Sequence, residues 1–134
     1  MGIVSAQVEL SSAREDDLAP VEVTALVDTG STYLCIPPHV ALQLNLPVQD
    51  RRGVTLADGR EETVDYVGPV RVRFANRQCI VGALVLGNQV LLGAIPMEDM
   101  DLVINPLRRT VTVNPANPNV PMGLAMANEV HHDD

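Results

Sequence analysis

Short runs with a residue period of two dominate the chain, and each run is closed by glycine, proline, asparagine or aspartate. Ile3 to Leu10 alternates apolar and polar residues, and Val21 to Val27 and Tyr33 to Ile36 read as extended. Val54 to Ala57, Glu61 to Val67 and Val70 to Phe74 continue the pattern after Pro47. Successive side chains of a strand point to opposite faces, so this period specifies half-buried strands. Asp58-Gly59 lies between two of these runs and predicts a hairpin turn there. Cys79 to Leu86 is continuously apolar, which predicts a strand buried on both faces. Val90 to Gly93, Leu102 to Ile104 and Thr110 to Val113 complete the set of strands. Pro37-Pro38 opens one helical segment, His39 to Leu44, with Val40, Ala41 and Leu44 turned to the core. A single helical turn is expected over Pro96 to Met100. The resulting class is all-β, built from short strands with one short helix.

A chain of 134 residues forms one ordinary domain with a core of its own. From Asn114 onward it turns rich in asparagine and proline. The predicted organisation is therefore a folded domain over 1–114 and a trailing tail over 115–134. Asp plus Glu outnumber Lys plus Arg by 17 to 9, a formal charge of −8. That balance opposes a nucleic-acid partner, which needs clustered positive charge. The only aromatic residues are Tyr33, Tyr66 and Phe74, too few for base-stacking platforms. The longest apolar stretch, Ile80 to Ile95, is broken by Asn88 and Gln89, so no membrane-spanning helix is expected. The N-terminus lacks the pattern of a signal peptide. Cys35 and Cys79 sit in apolar surroundings without metal-ligand spacing and read as two reduced core thiols, which favours a cytoplasmic location.

The segment that carries chemistry is Ala25-Leu26-Val27-Asp28-Thr29-Gly30-Ser31-Thr32. It places an acid at the end of an apolar strand, directly before a turn. A second element, Leu91-Leu92-Gly93, ends another apolar run much later in the chain. Between the two lies the hairpin with its tip near Ala57-Asp58-Gly59-Arg60.

This three-part layout resembles the retropepsin-like aspartic proteases, single-domain relatives of pepsin, over about Val21 to Val113. The stretch from Leu91 to Pro106 is similar to bacterial single-domain members. The resemblance implies a small closed β-barrel with a flap hairpin. It implies a catalytic role for Asp28, Thr29 and Gly30, and substrate contacts from Ser31, Thr32, Leu56, Ala57, Asp58, Gly59 and Leu92. Val27, Leu34, Ile36 and Val90 are further candidate cleft walls. The Ser31 hydroxyl is expected to bond a carboxylate oxygen, the Thr29 hydroxyl to brace a partner loop, and Leu92 and Gly93 to pack behind the catalytic loop. Chemistry of this type takes two Asp-Thr-Gly loops, and the chain has one, so a homodimer is implied. The expected activity is hydrolysis of peptide or protein substrates, with no cofactor and no metal. Ala94-Ile95-Pro96 stands where retroviral members commonly carry an arginine after the second block. The hairpin tip has one glycine where retroviral flaps have several.

Plainer readings exist for each element. Asp28 has the neighbours of an ordinary turn acid. Tyr66 reads as a packing residue and His39 as an exposed first-turn residue. Glu98, Asp99 and Asp101 read as a solvated acidic face. His131-His132-Asp133-Asp134 has metal-binding residue types but no fixed spacing. The alternative function is a non-catalytic dimeric module that keeps the fold and binds peptides in its cleft.

Overall fold

One face of the first strand, β1 (Ser5–Ser12), buries Ala6, Val8, Leu10 and Ser12, as the alternation dictates. The Ser12 hydroxyl accepts the amides of Arg14 and Glu15, both at 3.2 Å, so this inward polar residue is satisfied. A computed structural model describes residues 3–125 of the chain. After β1 come β2 (Val21–Val27), β3 (Leu34–Ile36), helix α1 (Pro38–Gln43), β4 (Val48–Thr55) and β5 (Glu61–Phe74). They are followed by β6 (Arg77–Val85), β7 (Leu91–Leu92), helix α2 (Ala94–Asp99), β8 (Leu102–Asn105) and β9 (Thr110–Val113).

Six strands close into a barrel in the order β1-β2-β7-β3-β6-β5, because β1 also pairs with β5 through Glu9–Arg73 to Ser12–Val70. Closure removes free sheet edges. Leu10, Leu34, Ile36, Val70, Val72 and Leu92 fill its interior and are almost fully buried. Helix α1 caps one side with Val40 and Leu44, and α2 adds Met97 and Met100. The β8–β9 ladder is a separate two-stranded sheet. No helix among the described residues is long and apolar enough to cross a membrane.

Strand β4 lies outside the ring. It pairs with the N-terminal half of β5, from Val48–Val67 to Thr55–Glu61, and the two project as a hairpin. Its first half, Gln49 to Arg52, is charged and mostly exposed, which hides it from a periodicity reading. The two runs expected on either side of Gly68-Pro69 are one strand. β5 exchanges partners there, from β4 to β1, and Pro69, which has no amide donor, falls in the gap between the two registers. The hairpin tip holds three residues: Leu56 and Arg60 are bonded across it at 2.7 Å, and Gly59 N–H reaches the Leu56 carbonyl at 2.9 Å. Gly59 has φ +88, the left-handed position that this type of turn requires.

Three further expectations are corrected. The apolar run of β6 is not buried on both faces: Ile80 is half exposed, because only one face covers the barrel. A second helix, α2, forms from Ala94, earlier than the single turn expected. The segment after Asn114 does not trail, at least to Met122. Asp101 takes Asn114 Nδ2 at 3.1 Å on one carboxylate oxygen. Its other oxygen takes Asn117 Nδ2 at 2.8 Å and the Met122 amide at 3.1 Å. Asn76 Nδ2 reaches the Pro118 carbonyl at 3.0 Å, and the buried Arg77 guanidinium donates to the Asn117 carbonyl. Asparagine and proline here build a strap instead of a tail.

The Asn114 amide, the Met122 N–H and the Asn117 amide hold the Asp101 carboxyl below its ordinary value. A carboxylate whose folded value is lowered contributes stability above its unfolded value, and that contribution is lost as pH falls through the folded value. Asp101→Asn is therefore expected to lower the melting temperature by a few degrees at pH 7. The gap to the parent should close as the pH drops below about 4. A gap independent of pH in thermal melts would refute this account of the strap.

Candidate active site

Strand β7 runs parallel to β2 (Leu26–Leu91, Val27–Leu92) and antiparallel to β3 (Cys35–Leu91). It therefore lies between the two strands that carry the Asp-Thr-Gly loop, and the loop wraps over its end. The Asp28 amide donates to the Leu92 carbonyl at 3.0 Å, and Ser31 N–H closes the turn onto the Asp28 carbonyl at 3.0 Å. From behind, Ala94 N–H reaches the Ser31 carbonyl at 2.8 Å and Ile95 N–H the Thr32 carbonyl at 2.9 Å. A side chain on Gly93 would put its Cβ 2.5 Å from the Tyr33 carbonyl and 2.7 Å from the Ser31 carbonyl. The second block thus supports the first through backbone contact alone.

The Asp28 carboxylate accepts the Gly30 amide at 3.0 Å. This bond within the loop stands where the Ser31 hydroxyl was expected. Gly30 sits close to that carboxylate: a Cβ there would lie 3.1 Å from the same oxygen, a tight contact that would press on the side chain. Asp28, Thr29, Gly30 and Thr32 are exposed and Ser31 is half-buried, so a rigid loop presents a carboxylate on the surface of one chain.

A cavity of about 310 Å³ lies between this loop and the hairpin stem, walled by Gly30 to Tyr33 on one side and Gly53 to Thr55 on the other, with Leu84 and Leu86 alongside. The sequence reading missed Tyr33, Val54, Leu84 and Leu86, because these positions look like ordinary strand residues. Leu56 is half-buried, and Ala57, Asp58 and Gly59 are exposed at the tip, outside this lining. Leu92 is corrected as a substrate contact: it is fully buried behind the loop. Leu34, Ile36 and Val90 are likewise core residues, since inward positions of a closed barrel face one another. Val27 is half-buried. At the tip, the Arg60 side chain and amide hold the Asp58 carboxyl below its ordinary value, with Arg60 Nε at 2.7 Å.

Cys35 borders the cavity, but burial raises its thiol pKa. Cys79 is pushed up to about 12 by burial and by the nearby Asp99. Both are free thiols, and neither is a thiolate nucleophile near neutral pH. Among the described residues no cluster of His, Cys, Asp and Glu has metal-binding geometry. His131 to Asp134 lie outside the described residues.

Residues 12–69, from the end of β1 through the Asp28 loop and the hairpin to the partner exchange in β5, match the family model of aspartyl proteases. The fold is similar to the crystal structure of the retroviral protease-like domain of Ddi1 from Leishmania major. The two share 17% identity, 85% of this chain and 91% of that one, with a TM-score of 0.54. The fold is retropepsin-like. No curated protein matches it significantly. In this retropepsin-like barrel the Asp-Thr-Gly loop falls within the matched segment, whereas its support at Leu91 to Ile95 lies beyond it.

Gly93→Ala is expected to cost roughly 1–3 kcal/mol of stability, toward the upper end because every contacted atom is rigid backbone. Gly53→Ala meets open space and should change stability by less than about 0.5 kcal/mol. Denaturant unfolding of the two variants tests the comparison, and equal effects would sink it.

Proposed function

We propose that this chain is an aspartic endopeptidase completed by a second copy of itself. The observation that carries the reading is the exposed Asp28 carboxylate, set by its own loop amide over a backbone support and beside a cavity roofed by the hairpin stem. A single Asp-Thr-Gly occurs in the chain, so the partner carboxylate comes from Asp28 of a second protomer across a two-fold axis. The match of residues 12–69 to the family model of aspartyl proteases supports the same reading.

Two carboxylates brought close cannot both ionise easily, so the pair shares one proton and titrates as a unit. The ionised Asp28 takes a proton from the water as its oxygen attacks the peptide carbonyl carbon. The protonated Asp28 donates its proton to the carbonyl oxygen, which relieves the developing negative charge. The resulting gem-diol loses its proton back to one carboxylate while the amide nitrogen is protonated, and the C–N bond breaks. In this reading the Thr29 hydroxyl, exposed in one chain, bonds the partner loop. Ser31, Thr32, Leu56, Ala57, Asp58 and Gly59 contact the substrate as the hairpin closes and excludes water. The two free thiols suit a reducing, cytoplasmic setting.

Wild-type protein is expected to cleave members of a mixed peptide library at mildly acidic pH, with specific activity rising with protein concentration. Activity should fall on both sides of a pH maximum, because the mono-protonated pair is lost in each direction. Asp28→Asn should reduce cleavage by roughly 10³-fold or more. Peptide binding without cleavage by the folded wild-type protein would identify a binding module instead. Cleavage retained in Asp28→Asn would exclude the aspartic mechanism.

A further inference from the structure

Three side chains, from β4, β5 and the loop before β3, meet at the base of the hairpin. The Arg52 guanidinium, on β4, stacks over the Tyr66 ring on β5 with its carbon 4.0 Å from the ring centre. It also lies 5.8 Å from the centre of the Tyr33 ring and donates from Nη1 to the Tyr33 hydroxyl at 3.1 Å. The two rings meet edge to face, with centres 6.0 Å apart. Asp50, two residues before Arg52 and so on the same face of β4, accepts Arg52 Nε at 3.1 Å. The Tyr66 ring rests where a side chain on Gly82 would stand: a Cβ there would lie 2.1 Å from the ring. Gly82 thus makes room in the barrel wall for this one aromatic ring.

Placement gives the cluster its meaning. Tyr33 directly follows the loop that carries Asp28, and its carbonyl presses on Gly93. Arg52 and Val54 are alternate, half-buried positions on one face of β4, and Val54 walls the cavity. Shifting Arg52 therefore shifts that wall. Among the described residues β4 has no partner on its outer side, and before Tyr66 β5 has no ladder to β6, so there the hairpin meets the rest of the chain through side chains such as Arg52. Arginine suits this junction because a planar cation stacks on a ring while its edge still donates hydrogen bonds, which an ammonium group does not do.

We propose that Arg52, clasped by Tyr33 and Tyr66, is a positioning residue that sets the angle of the hairpin over the cleft and so determines how tightly peptide is held. This rests on the proteolytic reading for its kinetic consequence but not for its structural one. The clasp is separate from the chemistry: Arg52 acts through the hairpin and touches no reacting atom.

The chain supplies its own reporter. It has no tryptophan and only two tyrosines, both in the clasp, so its tyrosine near-ultraviolet circular dichroism reads this site alone. Arg52→Ala is expected to collapse that band while leaving the far-ultraviolet spectrum unchanged. Relaxation dispersion at the Ala57 to Arg60 amides should increase, as the hairpin samples open positions on the μs–ms timescale. For peptide cleavage, KM should rise roughly tenfold while kcat changes less than about threefold, because binding is weakened equally in the ground and transition states. Arg52→Lys, which keeps the charge but not the planar stack, should fall between the two. An unchanged tyrosine band, or unchanged hairpin relaxation despite a lost band, would overturn the proposal. So would a fall in kcat with KM unmoved. If wild-type protein cleaves no peptide, the proteolytic reading fails, while the tyrosine band and the hairpin relaxation still decide the clasp.

Discussion

The site depends on one insertion: β7 lies between β2 and β3 and is followed at once by a residue with no side chain. Its ladder bonds give the Asp28 loop a fixed origin, and Gly93 lets the carbonyls of Ser31 and Tyr33 close over it. The amides of Ala94 and Ile95 then tie down the far side of the loop. Because these contacts are backbone to backbone, loop position is insensitive to most side-chain changes around it. The carboxylate needs little more than the amide of Gly30 to hold its direction. For the proposed acid–base pair shared between two molecules, such a support means that each half arrives already shaped.

The remaining mobility is assigned elsewhere. The barrel closes on itself through β1 and β5, so its core is held by non-local pairing on every side. The β4–β5 hairpin stands outside that ring and carries most of the exposed charge pairs, including Arg51 with Asp65 and Arg60 with Asp58. Exposed pairs of this kind contribute little stability. The cavity is thus bounded by the backbone-braced loop on one side and by a stem outside the closed ring on the other, with Tyr33 in its lining and bonded to Arg52 of the stem.

Legibility in the sequence followed the physical origin of each signal. The strands β2 and β9 were readable to the residue, because half-burial imposes alternation. The Asp28 and Gly93 blocks were readable because backbone proximity restricts residue type so severely. The first half of β4 was invisible, since a strand held off the core needs no apolar face. The cleft walls were misjudged at Leu34, Ile36, Val90 and Leu92 because an apolar residue on a barrel strand has two possible sides, and local pattern does not distinguish a core from a cleft. Arg52 was missed because a cation in a charged run resembles a solvated one until its partners, distant in sequence, are in place.

The strap shows that a change in composition is not always a seam in the structure. A chain pruned at Asn114 would lose the carbonyl that Arg77 donates to, leaving a buried guanidinium with its Nε and Nη1 groups already lacking partners among the described residues. Asp101 would lose two of its donors at the same time, at the exit of the short helix whose entrance braces the Asp28 loop. The asparagines and prolines that resemble loose ends cover a buried guanidinium and satisfy one of its donors. A truncation chosen for tidiness would be felt through α2 at the opposite end of the helix.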